Sequence, residues 1–169
     1  LWGEGILDFP KSLNEKDWDQ IHRYAVNHTV EGIIYDSFSF LTEEQLPPYS
    51  LRLKWTVRVD KIQRYNQQMN KVLVSQYNYF TKYGLNPILQ KGQGVAACYR
   101  NPLHRMSGDI DWYFENNGYA IARKIVKEKK IAVQDLAGFS LDYDWENVHI
   151  EHHKKLFDIK NPFKASYLN

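Results

Sequence analysis

Hydrophobic residues in the first half of the chain recur at the 3.6-residue period of an α-helix. A first helix is predicted to follow an N-cap at Ser12 or Asn14. Its apolar positions are Trp18, Ile21, Tyr24 and Ala25, and a second, short helix should contain Ile33, Ile34 and Phe38. We expect the chain to be helical up to about residue 84.

A long helix is predicted to begin after Pro48. Its apolar positions keep the helical period and are Ile62, Tyr65, Met69, Val72, Leu73 and Phe80. Gly84 follows at the place where a helix-terminating residue in the left-handed conformation belongs. The long helix should therefore end just before Gly84.

The spacing of apolar residues in the second half of the chain no longer follows the helical period. The short apolar run Asn86–Gln90 is bounded by turn residues and predicts a buried strand, which Gly92 and Gly94 end. The pattern then predicts a short helix over Val95–Tyr99, a strand over Gly108–Phe114, a helix over Tyr119–Lys127 and further strands between Ile131 and Ile150.

This order of elements predicts an α+β fold. A helical segment over residues 1–84 precedes a small mixed β-sheet with flanking helices over residues 85–169. The alternative is an all-α fold with Asp109 and Asp111 in a loop. The two segments can form one compact unit. Because the first residue is Leu1 rather than Met, the sequence can also be a fragment of a longer chain.

Composition narrows the class of protein. The 169 residues are 43% hydrophobic and 15% aromatic, which suits one folded domain and excludes disorder over most of the length. A net charge of +2 is too balanced to indicate nucleic-acid binding by bulk charge. Cys98 is the single cysteine, and no apolar run is long enough to cross a membrane. We expect a cytoplasmic protein without a membrane partner.

The most informative motif is Asp109-Ile110-Asp111. On a strand, residues two apart project from the same face, so both carboxylates point one way and Ile110 points the other. Two like charges this close repel each other, and they are tolerated when a hard divalent cation such as Mg²⁺ lies between them. The alternative is an exposed edge strand with two solvated carboxylates.

A second motif, Lys91-Gly92-Gln93-Gly94, lies upstream of the acidic pair. Its glycines allow backbone N–H groups to approach an anion at a helix N-terminus, which is the chemistry of a phosphate site. It is neither a P-loop nor a dinucleotide fingerprint, because the further residues of those motifs are missing. The alternative is a tight turn.

Several motifs in order resemble one family. They are the run from Ile88 to Gly94, then Tyr99-Arg100-Asn101-Pro102, then Arg105 to Asp111. This arrangement is similar to a poorly characterised bacterial nucleotidyltransferase family of the DNA polymerase beta superfamily. The match covers about residues 85 to 115, and that family also has helices ahead of the motifs.

The resemblance implies a third carboxylate on a later strand, often an Asp or Glu followed two residues on by His, and Glu151 is the candidate. On a strand, Glu151 shares a face with His149 and His153. Three alternatives stay open at this point. The segment can be a solvated hairpin edge, Asp142 and Asp144 can supply the carboxylate, or the two histidines with Glu151 can form a zinc hydrolase site.

The resemblance also implies an activity. Two Mg²⁺ ions held by Asp109, Asp111 and Glu151 would support transfer of a nucleoside monophosphate from an NTP to an acceptor hydroxyl. The triphosphate would contact Lys91, Arg105 and the backbone amides of Gly92 and Gln93, although Gln93 stands where the superfamily usually has serine. The acceptor is a protein, a small molecule or RNA. The alternative function is a catalytically inactive binding module of the same fold.

Overall fold

The computed structural model describes residues 13–136 and 139–156. Their α-helices are α1 (Glu15–Asn27), α2 (Glu31–Ser37), α3 (Tyr49–Thr81), α4 (Gly92–Ala96) and α5 (Gly118–Glu128). Their strands are β1 (Pro87–Gln90), β2 (Asp109–Phe114), β3 (Val133–Leu136), β4 (Ser140–Trp145) and β5 (Val148–His153). The predicted α+β class is confirmed, and the all-α alternative is wrong.

The described residues form two compact units. The first contains the residues up to Gln67 together with Tyr99–Met106, and the second contains Gln68–Cys98 and the residues from Ser107 onward. The predicted segments, 1–84 and 85–169, have a different boundary and stay a prediction about the domains. None of the described helices combines the length and hydrophobicity that crossing a lipid bilayer requires.

Helix α1 begins at a capping box. The Asn14 side chain accepts a hydrogen bond from the Asp17 N–H at 3.1 Å, and the Asp17 carboxylate accepts one from the Asn14 N–H at 3.0 Å. The predicted N-cap at Asn14 is thereby confirmed, and the other candidate, Ser12, lies outside the described residues. The core of the first unit is formed by Trp18, Ala25, Leu51, Trp55 and Val59.

The segment Tyr99–Met106 is bound into the first unit by specific contacts. Asn66 of α3 donates hydrogen bonds to the carbonyl oxygens of Leu103 and Arg105, both at 2.7 Å. Gly32 packs against His104 so closely that a Cβ there would lie 1.9 Å from the His104 oxygen. The close packing of the His104 backbone against α2 therefore requires glycine at position 32.

The second unit is a five-stranded sheet in the order β1-β2-β5-β4-β3. β2 and β5 are parallel, and the other neighbours are antiparallel. One face is apolar and packs on α3 and α5, through Ile110, Trp112, Phe114, Leu141, Val148 and Ile150 of the sheet, Met69, Val72 and Phe80 of α3, and Ala122, Ile125 and Val126 of α5. The opposite face therefore carries the polar residues of the same strands.

Helix α3 ends in a Schellman motif. The Leu85 N–H donates to the Phe80 oxygen at 3.2 Å, and the Gly84 N–H donates to the Thr81 oxygen at 3.0 Å. Gly84 has φ +73°, the left-handed conformation that the sequence predicts for it. Leu85 and Phe80 are both in the core of this unit, which fixes the turn from the helix into β1.

The helix predicted over Val95–Tyr99 begins earlier than expected. Helix α4 spans Gly92–Ala96 and starts directly after the strand. Lys91 and Gly92 both have positive φ, 42° and 34°, and they make the sharp turn between the two elements. Apolar spacing carries no signal for such a turn, which is why the predicted start was three residues late.

Candidate active site

Strand pairing places acidic residues side by side on the polar face of the sheet. Asp111 of β2 pairs with Glu151 of β5, and Glu151 pairs with Asp142 of β4. Gln90 of β1 continues the same row on the other side of Asp111. Since residues paired across a sheet project from the same face, three carboxylates lie on neighbouring strands. β2 has a partner on both sides, so the alternative of an exposed edge strand is wrong.

Three side chains of this face form a compact group. One ligand atom from each of Asp111, Glu151 and His153 lies within 4.8 Å of the others. His153 Nε2 is 2.7 Å from Asp111 Oδ1, and His153 Nδ1 is 3.6 Å from Glu151 Oε1. The imidazole therefore contacts both carboxylates, one with each nitrogen.

Asp111 is almost completely buried, with 1% of its surface exposed. Burial raises the pKa of its carboxyl, but hydrogen bonds from His153 and Lys91 outweigh this effect and leave the pKa below its ordinary value. Lys91 Nζ is 3.1 Å from Asp111 Oδ1. The carboxylate is therefore charged at neutral pH, and it accepts hydrogen bonds from Lys91 and His153.

Lys91 reaches Asp111 from the sharp turn between β1 and α4. Its positive φ costs a non-glycine residue on the order of 1–3 kcal/mol, and such conformations cluster at functional sites. Its side chain is nevertheless 65% exposed. The ammonium group can therefore leave Asp111 for another anion without unfolding the turn.

The other predicted site residues have different surroundings. Asp109 lies on the same face as Asp111 and pairs in register with His149, but it is not a member of the three-residue group.

The Gln93 side chain accepts a hydrogen bond from the Ser107 hydroxyl at 3.2 Å. Gly92 and Gln93 begin α4, and Arg105 belongs to the first unit. The roles assigned to these residues stay predictions.

His153 is the residue that the sequence argument missed as a partner of the acidic pair. It entered only as the histidine that the resemblance places two residues after the third carboxylate, and through the zinc alternative, which needed His149 as well. His149 instead contacts Asp144 Oδ1 at 3.2 Å, and its side chain is 49% exposed. The signal for His153 was its position two residues after Glu151, on the same face of the strand.

A buried polar chain lies on the other face, directly behind the site. The Trp112 indole donates to Gln76 Oε1 at 2.6 Å, and Gln76 Nε2 donates to the Tyr143 hydroxyl at 3.0 Å. The hydroxyl is 2.9 Å from His152 Nε2, within hydrogen-bond distance. Burial lowers the pKa of His152 to about 3, so this histidine is neutral.

Each strand of the acidic row contributes one residue to this chain, next to its carboxylate. Trp112 follows Asp111 on β2, His152 follows Glu151 on β5, and Tyr143 follows Asp142 on β4. Because neighbours on a strand face opposite sides, holding one set of side chains orients the other set. The buried chain therefore fixes the strands that carry the carboxylates.

An α+β unit with carboxylates on adjacent central strands, backed by helices on the other face, is consistent with a nucleotidyltransferase-type core. The model of a family described as uncharacterised nucleotidyltransferase matches residues 14–169 of this chain. The chain therefore belongs to this family, and the resemblance found in the sequence is confirmed. Comparisons with the curated proteins and with the solved structures gave no match.

Proposed function

We propose that this chain transfers a nucleoside monophosphate from an NTP to an acceptor hydroxyl in a reaction that depends on divalent metal ions. The family supports a general nucleotidyltransferase role. The observation that carries the finer proposal is the register of the two parallel central strands, which pairs Asp111 with Glu151. Their ligand atoms lie within 4.8 Å of each other.

The donor set fits a divalent cation. Asp111 is buried, and a buried carboxylate needs a compensating positive charge. Asp111, Glu151 and, on the same face, Asp109 would hold the metal ions, which the sequence predicts to be Mg²⁺. When bound, the ions would offset the charge of the triphosphate and make the acceptor hydroxyl a better nucleophile.

In this proposal Lys91 contacts first Asp111 and then the phosphates of the bound NTP. In the structure its ammonium group contacts Asp111 at 3.1 Å. With an NTP bound, the exposed side chain would turn toward the phosphate oxygens and hold the leaving pyrophosphate. Arg105 and the backbone amides of Gly92 and Gln93 stay proposed as further phosphate contacts.

The direct test removes the acidic pair. In the double variant Asp109→Asn, Asp111→Asn we expect transfer to be lost and the fold to be retained, because the two carboxylates act through charge. The measurement is label transfer from each α-labelled NTP to the protein, RNA and small-molecule fractions of a cell extract. The matched control is Asp60→Asn, an exposed carboxylate on α3 that no prediction places in the site. Transfer at the parent level by the double variant would contradict the proposal.

The second candidate is a binding module without catalytic activity. Gln93 favours it, because this side chain replaces the small hydroxyl residue of the superfamily and is engaged with Ser107. Titration calorimetry with ATP, GTP, CTP and UTP in the presence of Mg²⁺ tests nucleotide binding independently of transfer. Binding without transfer to any fraction would favour the module, and transfer would exclude it.

A further inference from the structure

We propose that His153 is a direct metal ligand and that Asp111, Glu151 and His153 form a mixed nitrogen–oxygen site which binds Mn²⁺ more tightly than Mg²⁺. This inference rests on the metal dependence proposed above and departs from the all-carboxylate site that the sequence predicts. It names the ion class of the site and gives a ligand role to His153, which the all-carboxylate set leaves out.

The geometry suits a single ion shared by the three side chains. Asp111 and Glu151 are directly paired, and His153 lies two residues further along β5, on the same face. The three ligand atoms lie within 4.8 Å of one another. An ion bonded at about 2.1 Å keeps its ligands no more than about 4.2 Å apart, so small side-chain rotations bring the group to bonding distance.

His153 differs from the two histidines beside it on β5. His152 faces the core, where the Tyr143 hydroxyl holds it, and His149 is half exposed and contacts Asp144. His153 is 19% exposed and has both ring nitrogens directed at carboxylates. Of the three, His153 alone combines a restricted position with two acidic neighbours that could share an ion with it.

The ligand chemistry decides which ion such a site prefers. Mg²⁺ is a hard cation that takes oxygen ligands and gives up its water reluctantly. Imidazole nitrogen is a softer donor that favours transition-metal ions, and carboxylates accept Mn²⁺ as readily as they accept Mg²⁺. Replacing one carboxylate by His153 therefore shifts the preference of the site toward Mn²⁺.

The experiment measures the metal site without nucleotide. The full chain is freed of metal with a chelator and titrated with Mn²⁺ and with Mg²⁺, and pulsed electron paramagnetic resonance of the Mn²⁺-loaded protein detects bonded nitrogen. We expect nitrogen coupling in the parent, with Mn²⁺ bound more tightly than Mg²⁺. His149→Gln, on the same strand and face, is the matched control and should keep both properties.

His153→Gln is the decisive variant. It should lose the nitrogen coupling, and its affinity for Mn²⁺ should fall at least about tenfold. Mutating residues that only support a metal ligand commonly lowers metal affinity by about that factor. Its Mg²⁺ affinity should fall less, because Mg²⁺ gains little from the imidazole. Circular dichroism establishes that the variant is folded.

Three outcomes would overturn the inference: a Mn²⁺-loaded parent without nitrogen coupling, coupling that persists in His153→Gln, or no binding of Mn²⁺. If His153→Gln does not fold, ¹⁵N-histidine labelling of the parent and of His149→Gln decides: coupling that responds to the label in both comes from a histidine other than His149, and its absence overturns the inference. Nucleotide transfer without nitrogen coupling contradicts only this inference. Nitrogen-coupled Mn²⁺ without transfer contradicts the proposed activity and leaves the metal site standing.

Discussion

At the scale of single residues, Asp111 is a buried carboxylate that keeps its negative charge. A carboxylate removed from water without compensation would become neutral through a raised pKa. Here the hydrogen bonds from His153 and Lys91 more than offset burial, and the pKa of Asp111 is lowered. The residue is therefore an anion whose partners can be exchanged for a metal ion.

Replacing Lys91 by alanine tests this exchange. Lys91→Ala removes a cation that competes for Asp111 Oδ1, so the nucleotide-free protein should bind divalent ions more tightly. The same variant should bind NTP more weakly, because a phosphate contact is lost. Calorimetric titrations with Mn²⁺ and with NTP measure the two effects, and Lys82→Ala, at an exposed position in the same unit, is the control. If both affinities fall or neither changes, Lys91 does not have the double role.

At the scale of elements, the buried chain through Gln76 joins α3 to the strands of the site. In Gln76→Leu the indole N–H of Trp112 loses its acceptor, and an unsatisfied buried donor costs about 1–3 kcal/mol. We therefore expect the free energy of unfolding to fall by about that amount, as measured by urea unfolding. Gln68→Leu, at an exposed position of the same helix, should change it little. Equal stability of the two variants would contradict the role of the chain.

Helix α5 and strand β3 are joined by an ion pair that gives a pH dependence. Lys127 and Arg123 of α5 hold Asp135 of β3, with Lys127 Nζ at 2.9 Å and Arg123 Nε at 2.8 Å. Hydrogen bonds from Lys127 and Arg123 lower the pKa of Asp135 from 3.8 to about 2. Because the folded pKa lies below the unfolded one, the stabilisation is complete above about pH 4 and is lost as the pH falls toward about 2.

Asp135→Asn isolates this contribution. Thermal unfolding of the parent and the variant between about pH 2 and pH 6 should show the parent more stable at the upper end, with the difference shrinking as the pH falls. A difference that is the same at every pH would mean that the carboxylate charge contributes nothing and that the variant acts through packing.

At the scale of the whole molecule, the chain enters the second unit after Gln67, returns to the first at Tyr99 and leaves it again after Met106. The returning segment carries part of the motif through which the sequence resembles its family. Asn66 holds this segment in the first unit through hydrogen bonds to the carbonyl oxygens of Leu103 and Arg105. A motif that looks continuous in sequence is thus divided between two units.

Asn66→Ala tests what holds the segment. Loss of both hydrogen bonds should let Tyr99–Met106 open more often, so trypsin should cleave after Arg105 faster than in the parent. Limited proteolysis followed by mass spectrometry measures this rate, and Asn70→Ala, at an exposed position of the same helix, is the control. Unchanged cleavage after Arg105 would show that other contacts hold the segment.

Local spacing in the sequence was sufficient to predict several features of the fold. The apolar period predicted the long helix and its end at Gly84, because helix termination depends on the conformation of one residue and its neighbours. The i, i+2 spacing predicted that Asp109 and Asp111 share a face while Ile110 enters the core, where it is 1% exposed. The order of the motifs predicted the family.

Only the tertiary structure decided which side chains meet. His153 contacts Asp111 although 42 residues separate them, and this contact requires β2 and β5 to be parallel neighbours in one register. If the pairing of β5 with β2 shifted by one residue, His153 would face the core and His152 the polar side of the sheet, because side chains alternate along a strand. Local spacing determined the face that each residue could occupy, and the long-range pairing of the strands, set by burial of the apolar face, determined the partners.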